Sequence, residues 1–244
     1  MDRTLSAEVL LTRWEDRRAI QNIIGKLTQS YLMMEEGQIF DRWWSSREDI
    51  CLGVNDGWYA GRASVQGYYA ALDAKISLAS RLITACFPEK LSGKSEEELY
   101  GVGQIGIRPA DTSIIEVASD GQTAKGIWSV HGTGTHIGTA GPVSYWDWGY
   151  LCVDFIHEED GWKIWHLQDL QDINTPTGYD WTQPAHEFDD HPAFAEMADF
   201  TFPAPDVAVT LRQAYTPGRP FAAAPRLPEP YDTFAETFSY GMEA

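Results

Sequence analysis

Apolar residues recur at helical spacing from Ile20 through Ile23, Ile24, Leu27 and Tyr31 to Met34, which predicts a first helix with one buried stripe. Thr12 followed by Glu15 supplies a capping-box signature ahead of this run, and Gly37 supplies a stop. The stretch "QIFDRWWS" predicts a short second helix. "DICLGV" and "GWYAG" read as short strands separated by the turn-like Asn55-Asp56-Gly57. A second long helix follows, with Val65, Tyr69, Leu72, Ile76, Ala79 and Ile83 stepping by three or four. "PEKLSGKSEEELYGVGQIG" breaks this periodicity and reads as an acidic, exposed insertion.

Beyond it the period changes to that of strands. "TSIIEVA" ends in the turn Ser119-Asp120-Gly121. "TAKGIWSVHGT" runs into a glycine-rich loop, "GTGTHIGTAGP", whose glycines suit mobility or a tight turn. "SYWDWGYLCVDFIH" and "GWKIWHLQDL" then form a hairpin across residues 158–161. Strict alternation in the last strand places Trp162, Ile164, His166 and Gln168 on one face. Helices come first and strands later, so the pattern predicts an α+β domain over residues 1–175: a curved antiparallel sheet wrapped over N-terminal helices. Ten of the thirteen prolines fall in residues 176–244. That extension also keeps aromatics such as Trp181, Phe194, Phe202 and Phe238, so it reads as an ordered wrap or lid and not as an independent domain.

Charge narrows the function. Acidic residues outnumber basic ones 36 to 18, a net charge of −18. This argues against nucleic acid and against anionic membranes, because both need clustered cations. Three widely spaced cysteines, Cys51, Cys86 and Cys152, point to a reduced intracellular protein, and no apolar run could span a bilayer, so the expected location is the cytoplasm. No Walker or GxSxG motif occurs.

A curved sheet over helices leaves a cone-shaped cavity, and alternation suggests which side chains line it. In "KGIWSVHG" one face carries Ile127, Ser129 and His131, and the other carries Trp128 and Val130. His131 and His166, on neighbouring strands, are therefore expected to converge on one cavity, where a histidine pair suits proton transfer near neutrality. Tyr31 and Tyr59 could add phenol hydroxyls. Trp58, Trp128 and Trp148 are candidates for stacking on a substrate, Gln168 for polar contact, and Asn55 is either a substrate contact or, with Asp56, a turn former. "HEFDDH" (His186 to His191) and "HGTGTH" (His131, His136) gather metal-type ligands without supporting geometry, so no metal and no cofactor is expected.

The segments "WEDRRAIQNIIGKLTQSYL", "GWYAGRASVQGYY", "IIEVASDGQTAKGIWSVHG" and "WGYLCVDFIHEEDGWKIWHLQD" together resemble the SnoaL-like branch of the NTF2-like superfamily, over about residues 10–172. The resemblance implies a cone fold, an apolar pocket, and a homodimer or homotrimer. Scytalone dehydratase-like members work without metal or organic cofactor, with tyrosine and histidine around the pocket. His131 and His166 match their histidine positions, and Tyr31 matches only roughly. The usual aspartate near the end of the first helix is replaced by "SYLMMEEGQ", with Glu35 nearby. The length and the proline-rich tail are similar to a longer subgroup that includes cofactorless diarylpropane lyases, which release formaldehyde. The expected function is a cofactor-independent lyase on an aromatic hydroxylated small molecule such as an aryl propane-diol. The alternatives are a dehydratase or isomerase on a steroid or polyketide, and a non-catalytic binding module.

Overall fold

A computed structural model of the chain describes residues 6–182, 188–218 and 225–242. Helix α1 (Ala7–Leu32) starts earlier than the Thr12 signature suggested, because the Ser6 side chain already accepts the Val9 N–H as N-cap. Its first turns leave Leu10, Leu11 and Trp14 exposed, and its buried stripe of Ile20, Ile23, Ile24 and Leu27 begins two turns later. α1 ends at Leu32, and Gly37, read as its stop, lies instead inside α2 (Glu36–Trp43); the hairpin β1 (Cys51–Val54) and β2 (Gly57–Ala60), and α3 (Arg62–Leu82) follow as the pattern predicts.

The acidic insertion is more structured than its sequence suggests. It holds two single-turn helices, α4 (Pro88–Leu91) and α5 (Glu96–Leu99), the latter closed by a Ser95–Glu98 capping box. It then enters the sheet as β3 (Ile105–Ile107), and β4 (Ala110–Val117) follows.

Three long strands dominate the sheet: β5 (Thr123–Gly138), β6 (Gly141–Glu158) and β7 (Gly161–Pro176). The eight strands run in the order β3-β5-β6-β7-β1-β2-β8, with β4 also paired to β5 and with β8 being Val207–Ala208. All pairings are antiparallel except β1 with β7. The expected glycine-rich loop is mostly strand. Gly132 and Gly134 sit in β5 where β3 crosses: a Cβ at Gly132 would lie 1.7 Å from the Ile107 carbonyl oxygen, and one at Gly134 2.6 Å from that of Ile105. Close approach, and not mobility, explains these glycines.

The inner face of the sheet meets the helices in one core. Ile24, Leu27, Tyr69, Trp128, Val153, Phe155, Trp162 and Ile164 belong to it. The outer face is covered in part by the C-terminal segment, where Ile127 and Cys152 pack under Tyr240. Of the three cysteines, all free, Cys51 and Cys152 are buried. Among the described residues, no helix is long and apolar enough to cross a membrane.

Candidate active site

Two strand irregularities decide which side chains reach the cavity. Phe155 pairs with Ile164, but Asp154 pairs with His166, so Trp165 is the extra residue of a β-bulge. Trp162 and Ile164 face the helices as expected. Past the bulge the alternation inverts, and Leu167 faces the core while His166 and Gln168 face outward. The shared face predicted for all four residues therefore fails for two of them, His166 and Gln168. Alternation continuing from Leu167 turns Asp169 and Gln171 inward, and Asp172, which pairs with Arg212 on the other side, is the extra residue of a second bulge that shifts the strand beyond it.

On the outer face, His166 Nδ1 lies 2.8 Å from Asp154 Oδ2, and Lys125 Nζ lies 2.6 Å from Asp154 Oδ1. Ser239 Oγ and the Tyr240 N–H also donate to Asp154 Oδ2, both at 2.8 Å. Lys125 and Asp154 are fully buried. Burial alone would raise the Asp154 carboxyl, but the His166 hydrogen bond and the Lys125 charge outweigh it and hold it below its ordinary value. Phe234 and Phe238 close over the lysine, 4.4 and 4.7 Å from its nitrogen to the ring centres. Gln168 donates to the Tyr240 carbonyl. This is a closed fastening for the C-terminal segment.

His131 is exposed, 3.8 Å from Asp111. It shares the outer face with Lys125 but sits six residues further along β5, roughly 20 Å at about 3.3 Å per residue. The two histidines do not meet. Trp148 is also outward, against Trp146 and Trp181. Trp58 faces outward too, its ring over Gly53, where a Cβ would lie 2.7 Å from it. Trp128 faces inward but is wholly buried, donating to Gln21, and is core. Within the "HEFDDH" stretch, residues 183–187 lie outside the described residues, and His191 caps a 3-10 segment by accepting the Ala193 N–H.

The inner face gathers a different set. The Arg108 guanidinium, between β3 and β4, grips Asp169 with two bonds of 2.9 Å, and its Nε lies 3.1 Å from Asp147 Oδ2. Gln171 donates to the same Asp147 oxygen at 2.6 Å. Asn55 serves as the turn former: its amide clamps both backbone groups of Gln171, at 2.8 and 2.9 Å. Burial works against the Arg108 charge, but Asp169 and Asp147 raise its pKa overall. Burial pushes the Asp147 carboxyl up against the pull of Arg108, and its Oδ1 has no hydrogen-bond partner.

Two compartments flank this ion pair. A small one, about 170 Å³, is lined by Tyr31, Glu36, Lys75, Arg108, His136 and Tyr145 with Leu72, Ile76 and Ile137 as apolar wall. A larger one, about 450 Å³, is lined by Asn55, Tyr59, Tyr68, Asp169 and Gln171 and roofed by the segment Phe202, Pro203, Ala204 and Pro205. Tyr59 fastens that roof by donating to the Pro203 carbonyl at 2.8 Å. Tyr31 Oη is 3.5 Å from Tyr69 Oη. Burial, followed by Tyr69 and Asp169, raises the Tyr31 pKa well above 10, so its phenol stays protonated. Burial raises Glu36 to about 7, with Asp73 adding to the effect, and its Oε2 is buried without a partner.

Of the sequence candidates, Tyr31, Tyr59 and Asn55 reach the cavity region. Arg108, Asp147, Asp169, Gln171, Glu36, Lys75 and Tyr68 were missed. One signal was available: Asp147 interrupts "YWDWGYLCV", where a polar residue on an apolar strand asks for a partner.

A curved, unclosed and mostly antiparallel sheet thus packs over N-terminal helices, with polar compartments between them. No family model and no curated protein matches the chain. Among solved structures, it is similar to an NTF2-like protein with a cystatin-like fold from Novosphingobium aromaticivorans (17% identity, 70% of this chain and 91% of that one, TM-score 0.43). It is similar also to the hexachlorocyclohexane dehydrochlorinase LinA-type3 from Novosphingobium barchaimii (18%, 71% and 99%, TM-score 0.46). A third is a candidate scytalone dehydratase from Novosphingobium aromaticivorans (12%, 70% and 91%, TM-score 0.48). Identities and TM-scores this low carry no inference about activity.

Proposed function

We propose that the chain is an acid–base lyase for a hydroxylated aromatic small molecule, reacting in the small compartment beside the Arg108–Asp169 pair. One observation carries the reading: a protonated phenol (Tyr31), a carboxyl near neutrality (Glu36) and a fixed guanidinium (Arg108) line a single apolar-walled compartment. The adjoining compartment at Asp169 has room for a second part of the substrate.

For an aryl propane-diol, the chemistry would run as follows. Glu36 takes the proton of the primary hydroxyl. That C–O becomes a carbonyl as the neighbouring C–C bond breaks, releasing formaldehyde. The electron pair of that bond forms the new C=C, and the benzylic hydroxyl leaves as water after taking the Tyr31 proton. Arg108, pinned by two carboxylates, orients the leaving oxygen and stays charged throughout. The Glu36 proton returns to Tyr31 through solvent. A dehydratase would use the same groups with the carbon skeleton kept.

Incubation with aryl propane-diols, with formaldehyde and alkene measured separately, tests this. Both products are expected in equal amounts, and Tyr31→Phe should lower turnover by about 100-fold with an unchanged circular-dichroism spectrum. Alkenol without formaldehyde would select the dehydratase. Binding without turnover of any diol, or full activity in Tyr31→Phe, would sink the assignment.

A further inference from the structure

Lys75 is a half-buried cation that neither the core nor the proposed elimination uses. It projects from α3 into the small compartment. Its Nζ lies 3.5 Å from His136 Nε2 and 5.5 Å from the centre of the Phe202 ring. No carboxylate oxygen of a described residue lies within the 4.0 Å of an ion pair. Lys94, Lys125 and Lys163, by contrast, each hold a carboxylate: Glu98, Asp154 and Asp160. In a chain with twice as many acidic as basic residues, a cavity-facing ammonium without a carboxylate stands out.

The surroundings sharpen what could pair with it. His136 is lowered to about 4, first by burial and then by the Lys75 charge, so its imidazole is neutral at pH 7. A neutral ring that accepts from Lys75 at Nε2 carries its proton at Nδ1, and so can donate to an acceptor there. Arg108, the other cation of the compartment, is already neutralised by Asp169 and Asp147. Glu36, the remaining carboxyl of the compartment, is unpaired with either. Burial also disfavours the Lys75 charge, and an incoming anion would offset that penalty.

We propose that Lys75 is an anion-recognition residue, and that the natural substrate carries an acidic oxygen, an aryl carboxylate or phenolate, seated against Lys75 between His136 and Phe202. This deepens the lyase reading and rests on it for the aromatic character of the ligand. It is tested by binding alone.

Calorimetric titration of the full chain with benzoate, with its uncharged isostere benzamide, and with 4-nitrophenol below and above its ionisation separates the possibilities. Benzoate is expected to bind at least tenfold more tightly than benzamide. Lys75→Met should lose that preference, and Lys75→Arg should keep most of it. A preference for benzoate identifies a carboxylate, and a tightening of 4-nitrophenol on ionisation identifies a phenolate. Equal binding of benzoate and benzamide, an unaltered benzoate affinity in Lys75→Met, or no binding of either anion would overturn the proposal. If Lys75→Met does not fold, the wild-type comparison of charged and uncharged probes still decides. A wild type with diol turnover but no anion preference would remove this proposal alone. A wild type with the anion preference but no turnover would instead remove the lyase.

Discussion

Strands β6 and β7 carry two buried ionic clusters, one on each face, completed by Lys125 of β5 on one side and by Arg108 of the β3–β4 connection on the other, and they are built to opposite ends. On the outer face, Asp154 receives Lys125, His166, Ser239 and the Tyr240 N–H, and aromatic rings seal the lysine. On the inner face, Arg108 joins Asp169 and Asp147, yet Asp147 Oδ1 and the nearby Glu36 Oε2 stay unpartnered and the cluster borders open space. A satisfied, covered network fastens structure. A part-satisfied one beside a cavity keeps bonding capacity for something that is not the protein. A histidine and an aspartate in hydrogen-bond contact are thus poor evidence of catalysis until the face they occupy is known.

Three substitutions test this contrast. The largest stability effect belongs to the outer face. Asp154→Asn leaves Lys125 buried without its counter-charge and should cost about 3–5 kcal/mol in urea unfolding, with diol turnover per folded molecule roughly unchanged. If turnover instead collapses while stability holds, the two faces have been assigned the wrong way round.

Glu36→Gln should act in the opposite sense on stability. Its folded carboxyl titrates at about 7 against an ordinary 4.5, so the folded chain holds more protons across that window and stability falls as pH rises through it. Above the window the buried carboxylate costs roughly 2–3 kcal/mol. The glutamine variant should therefore melt higher than the wild type at pH 8 and match it at pH 4. The same variant should lose the limb of the pH–rate profile that rises through about 7. A profile unchanged in shape would take Glu36 out of the chemistry.

The smallest effect is expected at His131, exposed beside Asp111. His131→Ala should shift stability by no more than about 0.5 kcal/mol and leave turnover as it was. A large loss of activity would place a second functional region on the outer face.

Much of the architecture was legible in the chain. The 3.6-residue stripe of α1 and α3, the turn residues between β1 and β2, and the long alternating strands are local signals, set by a residue and its near neighbours. They give the α+β cone with its helices on one side, the architecture found. Tyr31 was legible for the same reason, as the last polar-tipped member of a helical stripe.

The rest depended on partners distant in sequence. The faces of His166 and Gln168 hinge on whether β7 carries one extra residue opposite β6. That choice belongs to the pair of strands and to the tail segment that packs over Trp165 and His166 through Phe234. Arg108, Asp147 and Asp169 lie on three separate segments, with nothing in the spacing of 108, 147 and 169 to connect them. Gly132 and Gly134 read as loop residues because the backbone that crosses them, at Ile105 and Ile107, comes from an insertion with no strand signature. The sequence by itself determined the elements and the sidedness of each up to its first irregularity, because periodicity is local. Only the tertiary structure decided which polar residues share a cavity, because a single bulge exchanges the two faces of every residue beyond it.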